Sequence, residues 1–240
     1  MDVTDVQSDK ADKRALAVFD FDGTVIDGQS GLLLSRYLYA HKRLSLSNAG
    51  RLLWWGIRYK LHLPHRQAEA RELVFEPFEG QHKEEVDKVL KRFHEEVLVP
   101  KYRKKIVDEV SLRKSEGCVC LLISATFSSI AEAAAKRLKC DDFVATDMKV
   151  DDAGCYTLHV DGPVIEGNAK LQAAQLWADE HLGKDRWYLA YGYGDHHSDE
   201  ELLGAADLPF AVNPGKTLRR FAKRVGWTII DTDASDKEHV

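Results

Sequence analysis

The apolar positions of this chain change their period twice. Leu16-Ala-Val-Phe19 is a wholly apolar run that follows the charged Asp12-Lys-Arg segment and stops at an acidic, glycine-containing corner, Asp20-Phe-Asp22-Gly23-Thr24. A short uninterrupted run of this kind predicts a buried strand that delivers its C-terminal end to solvent. From about residue 30 to residue 112 the pattern is helical, with breaks near 43–47, at Leu63-Pro64 and over 76–80, and no strand is expected inside it. Strand character returns in Cys118-Val-Cys-Leu-Leu-Ile-Ser124, bounded by Gly117 before it. Helices and strands then alternate: a helix over 128–138, a strand at 143–145, a hairpin over 148–160, a helix over 169–181, a strand over 187–193, a short helix at 199–205, a strand at 209–212, a helix over 217–225 and a last strand at 227–230. That alternation predicts an α/β fold with a doubly wound parallel sheet and right-handed crossovers. The helical stretch is then an all-helical insertion that emerges directly after the acidic corner and lies above it as a cap. The expected organisation is an α/β core from 13–28 and 106–232, a helical cap domain over 29–105, and disordered polar tails at 1–12 and 233–240.

Composition narrows the picture. A chain of 240 residues with 44% hydrophobic composition fits one large domain or a domain with an insertion. The net charge of -5 is mixed along the sequence without a basic excess, so nucleic acid is not expected as a partner. The first residues are polar and acidic, unlike a signal peptide, and the apolar runs fall far short of the ~20 residues of a transmembrane span, which points to the cytoplasm. Cys118, Cys120, Cys140 and Cys155 form no metal-binding spacing, and Cys118 and Cys120 fall on one face of one strand; all four are read as reduced and structural. No internal repeat or low-complexity tract stands out.

The chemistry-bearing residues gather at the ends of predicted strands, which in an open parallel sheet is the edge where ligands bind. At the first corner Asp20 and Asp22 can take different tasks, one carboxylate binding a divalent cation while remaining nucleophilic and the other moving a proton. Alone, an Asp-x-Asp before glycine is also an ordinary solvated turn, and sugar-nucleotide transferases use the same pattern to hold metal. Three further corners answer it. Leu121-Leu-Ile-Ser124-Ala-Thr126 ends a buried strand in a hydroxyl, with Ser129 and Glu132 suited to a capping box just downstream. Glu166-Gly167-Asn-Ala-Lys170-Leu171 turns into a helix with a lysine in its first turn, where the helix dipole disfavours a cation and an anionic partner would account for it. Ala190-Tyr-Gly-Tyr-Gly194-Asp195-His-His-Ser198-Asp199 ends another strand in glycine and two carboxylates four residues apart.

In this order and spacing the four corners resemble the four motifs of the haloacid dehalogenase superfamily of phosphohydrolases. The helical insertion after the first motif resembles the phosphoserine-phosphatase-like branch. The segment Phe210-Ala-Val-Asn213-Pro214, with Leu218-Arg219 and Gly226-Trp227, is similar to a bacterial subgroup of that branch acting on assorted phosphomonoesters. The resemblance implies that Asp20 is a nucleophile forming an aspartyl-phosphate, and that Asp22 protonates the leaving alcohol and later activates water. It implies that Ser124 and Lys170, with Gly23 and Thr24, hold the phosphoryl group. Asp195 would complete a Mg2+ site with Asp20 and the backbone carbonyl of Asp22, and Asp199 would support the metal shell or Lys170. The expected function is a magnesium-dependent phosphomonoester hydrolase for a small or lipid-like phosphorylated metabolite. The alternatives are a phosphotransferase or mutase with the same intermediate, a phosphoserine phosphatase proper, or a binding protein without turnover. Phosphoserine phosphatases carry a glutamate facing the substrate ammonium where this chain has Gln29, and an asparagine where it has Ser198. His196 and His197, being adjacent, are read as loop residues.

In the insertion, Leu46, Ala49, Leu53, Ile57 and Leu61 make an apolar helical stripe, and Arg51, Trp55, Arg58 and His62 lie on the opposite face, flanked by Trp54 and Tyr59. That face either packs on neighbouring cap helices or meets an amphiphilic phosphate or a peripheral membrane surface. Gln29, Arg51, Trp55 and Arg58 are therefore the candidate substrate contacts of the cap. The sequence does not specify an oligomeric state.

Overall fold

The computed structural model of the protein describes residues 10, 12–44, 47, 50, 51, 54 and 67–232. Seven strands form one sheet: β1 (Arg14–Asp20), β2 (Val119–Phe127), β3 (Asp142–Val150), β4 (Tyr156–Asp161), β5 (Trp187–Gly194), β6 (Leu208–Val212) and β7 (Thr228–Ile230). Their spatial order is β4-β3-β2-β1-β5-β6-β7, and every neighbouring pair is parallel except β3 with β4. The chain winds outward from β1 to one side and then returns to continue from β5 on the other. The switch point of this doubly wound sheet therefore lies between β1 and β5, where a crevice opens at the strand ends.

Among the described residues the α-helices are α1 (Ser30–Ala40), α2 (Gln67–Phe75), α3 (Lys83–Phe93), α4 (Lys104–Ser115), α5 (Ser128–Leu138), α6 (Asn168–Ala178), α7 (Glu200–Gly204) and α8 (Lys216–Val225). Helices cover both faces of the sheet, which is why β1 and β2 carry unbroken apolar runs instead of alternating with polar residues. Successive side chains point to opposite faces. Leu16, Val18, Leu121 and Ile123 pack with Ala174 and Ala178 of α6, while Ala17, Phe19, Cys120 and Leu122 pack with Phe75, Leu90, Ile106 and Val110. Each leucine, isoleucine, valine or phenylalanine among them, once fully buried, contributes roughly 1.5–3 kcal/mol. Helices α1 to α3 lie between β1 and β2 in the chain, and their buried side chains share one apolar cluster with the sheet.

A polar node reinforces that junction. Asp87 of α3 accepts hydrogen bonds from Ser129 Oγ at 2.5 Å and Tyr156 Oη at 2.9 Å, joining the insertion to α5 and β4. The capping box expected from Ser129 and Glu132 is thereby corrected. Helix α5 starts at Ser128 with no side-chain cap, because the Ser129 hydroxyl bonds a distant carboxylate instead of its own helix end. Strand β2 also runs past Ser124 to Phe127, extended by pairing of Phe127 with Thr146.

In the stretch read as an N-terminal tail, Lys10 lies over the ring of Tyr188, 4.7 Å from its centroid. Of the expected cap contacts, Trp55 and Arg58 lie outside the described residues, as do His62, Leu46, Ala49, Leu53, Ile57, Tyr59 and Leu61. Arg51 and Trp54 are exposed, and Arg51 Nη1 is 3.3 Å from Glu76 Oε2. Among the described residues no helix is long and apolar enough to cross a membrane. The four cysteines are free, and burial pushes the Cys120 thiol up to about 12.

Candidate active site

Asp20 is the last residue of β1 and is 3% exposed, so its carboxyl lies at the base of the crevice rather than in solvent. Lys170, in the first turn of α6, places Nζ 2.7 Å from Asp20 Oδ1 and 2.7 Å from Asp199 Oδ1. The anionic partner expected for this lysine is thus a pair of carboxylates. Burial works against the Lys170 charge, yet Asp20 and Asp199 outweigh it and hold the ammonium pKa above its ordinary value. Burial drives the Asp20 carboxyl well above the usual range; Lys170 opposes the rise, while Asp199 and Asp195 add to it. Thr24 Oγ1 donates to Asp20 Oδ2 at 3.3 Å, so each carboxylate oxygen has a partner.

Asp195 follows the end of β5 and comes against the first corner. A Cβ added to Gly23, whose φ is +79°, would stand 2.1 Å from Asp195 Oδ2, so only glycine permits this approach. A Cβ on Gly194 would likewise meet the Asp199 side chain at 2.9 Å. Carboxylate oxygens of Asp20, Asp195 and Asp199 come within 4.8 Å of one another. Burial, followed by the charge of Asp199, pushes Asp195 up to about 7. Carboxylates crowded in this way, with an all-oxygen donor set, fit a hard divalent cation such as Mg2+, whose charge would offset their repulsion. Asp199 is engaged on both oxygens, Oδ1 by Lys170 and Oδ2 by the His196 N–H at 3.2 Å, which turns it toward support of the lysine.

The Asp22 side chain turns away from that cluster. Its Oδ1 accepts the Ser30 N–H at 2.7 Å and its Oδ2 accepts the Ser30 hydroxyl at 2.8 Å, at the N-terminus of α1. Burial raises the Asp22 pKa, and the two bonds from Ser30 act against the rise. The net effect is a carboxyl that holds a proton more readily than a free aspartate, as a general acid requires. Ser30, 1% exposed and 2.8 Å from Thr126 Oγ1, carries no motif of its own in the sequence; its only signal is its place as the first residue of α1. Ser124 is buried, and its Oγ accepts the Thr126 N–H at 3.1 Å, so the hydroxyl proton remains for donation to a ligand.

From the insertion, Arg71 of α2 pairs with Glu166 of the core, with Nη2 3.0 Å from Oε2, and its charge is felt at Asp22. Sequence reasoning missed Arg71 because nothing local marks it among the other basic residues of the insertion. Gln29 is exposed just before α1. His196 Nδ1 lies 3.0 Å from Ser198 Oγ, and the rings of His196 and His197 are 4.0 Å apart, so the pair forms part of the loop beside Asp199.

The sequence model of the haloacid dehalogenase-like hydrolases matches residues 17–204, a span that contains Asp20, Ser124, Lys170, Asp195 and Asp199. The chain is 28% identical over 224 residues to the inhibition of morphological differentiation protein of Streptomyces azureus, covering 91% of this chain and 78% of that one. It is 25% identical over 224 residues to phosphoserine phosphatase SerB1 of Mycobacterium tuberculosis, covering 92% and 71%. The crystal structure of a Bordetella pertussis Tohama I protein of unknown function superposes with a TM-score of 0.81 at 27% identity, covering 91% of this chain and 99% of that one.

Proposed function

Because the chain belongs to the haloacid dehalogenase-like hydrolases, we propose that it is a magnesium-dependent phosphomonoester hydrolase working through an aspartyl-phosphate on Asp20. The observation that carries this reading is the division of labour between two carboxyls two residues apart. Asp20 is held by Lys170 in an acidic cluster, and Asp22 is held by Ser30 outside it. Asp20 would attack phosphorus while the ester P–O bond breaks and the departing alcohol takes the proton of Asp22. Asp22, now a carboxylate, would remove a proton from water as that water attacks phosphorus, releasing phosphate and restoring Asp20. Lys170 and the Ser124 hydroxyl face the phosphoryl oxygens, where negative charge accumulates during transfer. Asp20, Asp195 and the Asp22 carbonyl would hold Mg2+, which would supply the positive charge that lets an anionic carboxylate approach an anionic phosphate.

Similarity to a protein named as a phosphatase supports hydrolysis over transfer to a second alcohol. For the substrate, a small phosphorylated metabolite in the cytoplasm fits best. Arg51, one of the residues proposed to touch a lipid or membrane, is exposed and lies 3.3 Å from Glu76 Oε2. Gln29 lacks the charge that a substrate ammonium would seek, so phosphoserine is expected to be a poor substrate. The test is turnover of a panel of phosphomonoesters, including phosphoserine, with Mg2+ and with excess chelator. Hydrolysis that needs Mg2+ and vanishes in Asp20→Asn supports the reading. Full activity in chelator, or in Asp20→Asn, contradicts it, and phosphoserine as the best substrate would overturn the inference from Gln29.

A further inference from the structure

The crevice has a second charged feature beyond the phosphoryl pocket. Arg71 and Glu166, 19% and 27% exposed, pair at 3.0 Å between the insertion and the core. Arg71 lies within electrostatic reach of Asp22, the group proposed to protonate the departing alcohol, and its partner Glu166 stands four residues before Lys170, whose Nζ meets Asp20 at 2.7 Å. Glu166 is fixed by the same turn that delivers Lys170. Gly167 has φ +59°, its carbonyl accepts the Lys170 N–H at 3.0 Å, and the Glu166 carbonyl accepts the Ala169 N–H at 3.3 Å. The charge of Glu166 is also felt at His196, on the loop beside Asp199. At 19% and 27% exposed the pair is largely shielded from solvent, and it ties the insertion to the turn that delivers Lys170.

We propose that Glu166 is a specificity-determining residue that holds Arg71 neutralised and thereby selects leaving groups without net charge. The proposal rests on the phosphatase reading and adds a substrate class to it: phosphate monoesters of neutral, hydroxyl-bearing alcohols. An anionic leaving group reaches Arg71 only by displacing the Glu166 carboxylate, and then lies beside a like charge. A cationic leaving group meets Arg71. A neutral hydroxyl can accept from the guanidinium and donate to the carboxylate without breaking the pair. Discrimination of this kind comes from the repulsive member as much as from the attractive one.

Phenyl phosphate and para-carboxyphenyl phosphate differ by one remote carboxylate, and the ratio of their kcat/KM values within one protein preparation is independent of the fraction that is folded. In Glu166→Gln that ratio should move roughly fivefold to tenfold toward the carboxylated ester relative to wild type. In an Arg71→Gln background the Glu166→Gln change should produce no such shift, because the cation it unmasks is gone. A ratio within twofold of wild type in Glu166→Gln, or an equal shift without Arg71, overturns the proposal. Failure of the wild type to hydrolyse either ester would instead refute the phosphatase reading on which it rests.

Discussion

Lys170 and Asp20 are 150 residues apart in the chain and 2.7 Å apart in the fold, and Asp199 holds the same ammonium from its other side. The lysine is thus the common counter-charge of the proposed nucleophile and its neighbour, all three of them buried. Removing one member of such a group leaves the others as uncompensated charges. Lys170→Met is expected to abolish turnover and to destabilise the metal-free protein by about 3–5 kcal/mol. Adding Asp199→Asn to it should recover part of that loss. Denaturant unfolding of both variants in chelator checks this; equal stability of Lys170→Met and wild type would show that the contacts are not coupled.

Asp22→Asn should lower kcat for an alkyl phosphate by roughly 10²–10⁴, the range of general acid–base catalysis. Para-nitrophenyl phosphate, whose leaving group needs no proton, should still show a burst of nitrophenolate before slow turnover. Ser30→Ala removes a hydroxyl bond that holds the Asp22 pKa down, so the pH–rate limb set by Asp22 should move to higher pH. An unmoved limb would separate Asp22 from the proton transfer.

Asp195→Asn should raise the Mg2+ concentration needed for half-maximal rate, since it replaces an anionic oxygen donor with a neutral one. Gly23→Ala should do the same without altering any charged group, because its methyl would occupy the space of Asp195 Oδ2. Rate measured against Mg2+ concentration decides both, and an unchanged Mg2+ requirement in each would place the cation elsewhere.

What could be read from the sequence was what local pattern encodes. Asp20 and Asp195 lie at or just beyond a strand end and Lys170 in the first turn of a helix, and the run from Leu16 to Phe19 was apolar enough to place the first strand. Contacts made across the insertion leave no such trace. Ser30 reaching Asp22 and Thr126, and Arg71 reaching Glu166, depend on how α1 and α2 lie over the sheet. Ser129 shows the reverse error, a good local capping signal overridden because the hydroxyl found Asp87 in the folded chain. The pairing of Phe127 with Thr146 similarly carried β2 beyond the hydroxyl that its sequence pattern took as the end.

His94 gives the stability a dependence on pH that is separate from catalysis. It is fully buried, with Nε2 2.7 Å from Tyr102 Oη and Nδ1 3.1 Å from Glu95 Oε1. Burial pushes its pKa below the ordinary 6.5, Glu95 opposes this, and Arg137 adds to it. Between the lowered folded value and 6.5 the unfolded chain binds the extra proton. This contribution to stability is therefore fully present above 6.5 and lost as the pH falls through that window. His94→Gln should flatten the acid-side decline in Tm relative to wild type. An identical decline in both proteins would assign it to other groups.

The central claim is that phosphorus becomes bonded to Asp20. Borohydride reduces an aspartyl-phosphate to homoserine and leaves a free aspartate intact, so peptide mapping after quenching the enzyme during turnover locates the intermediate. The account predicts homoserine at position 20 in the wild type with a phosphomonoester and Mg2+, and its absence without substrate and in Asp20→Asn. Turnover that leaves Asp20 unmodified, or homoserine at another position, would contradict it.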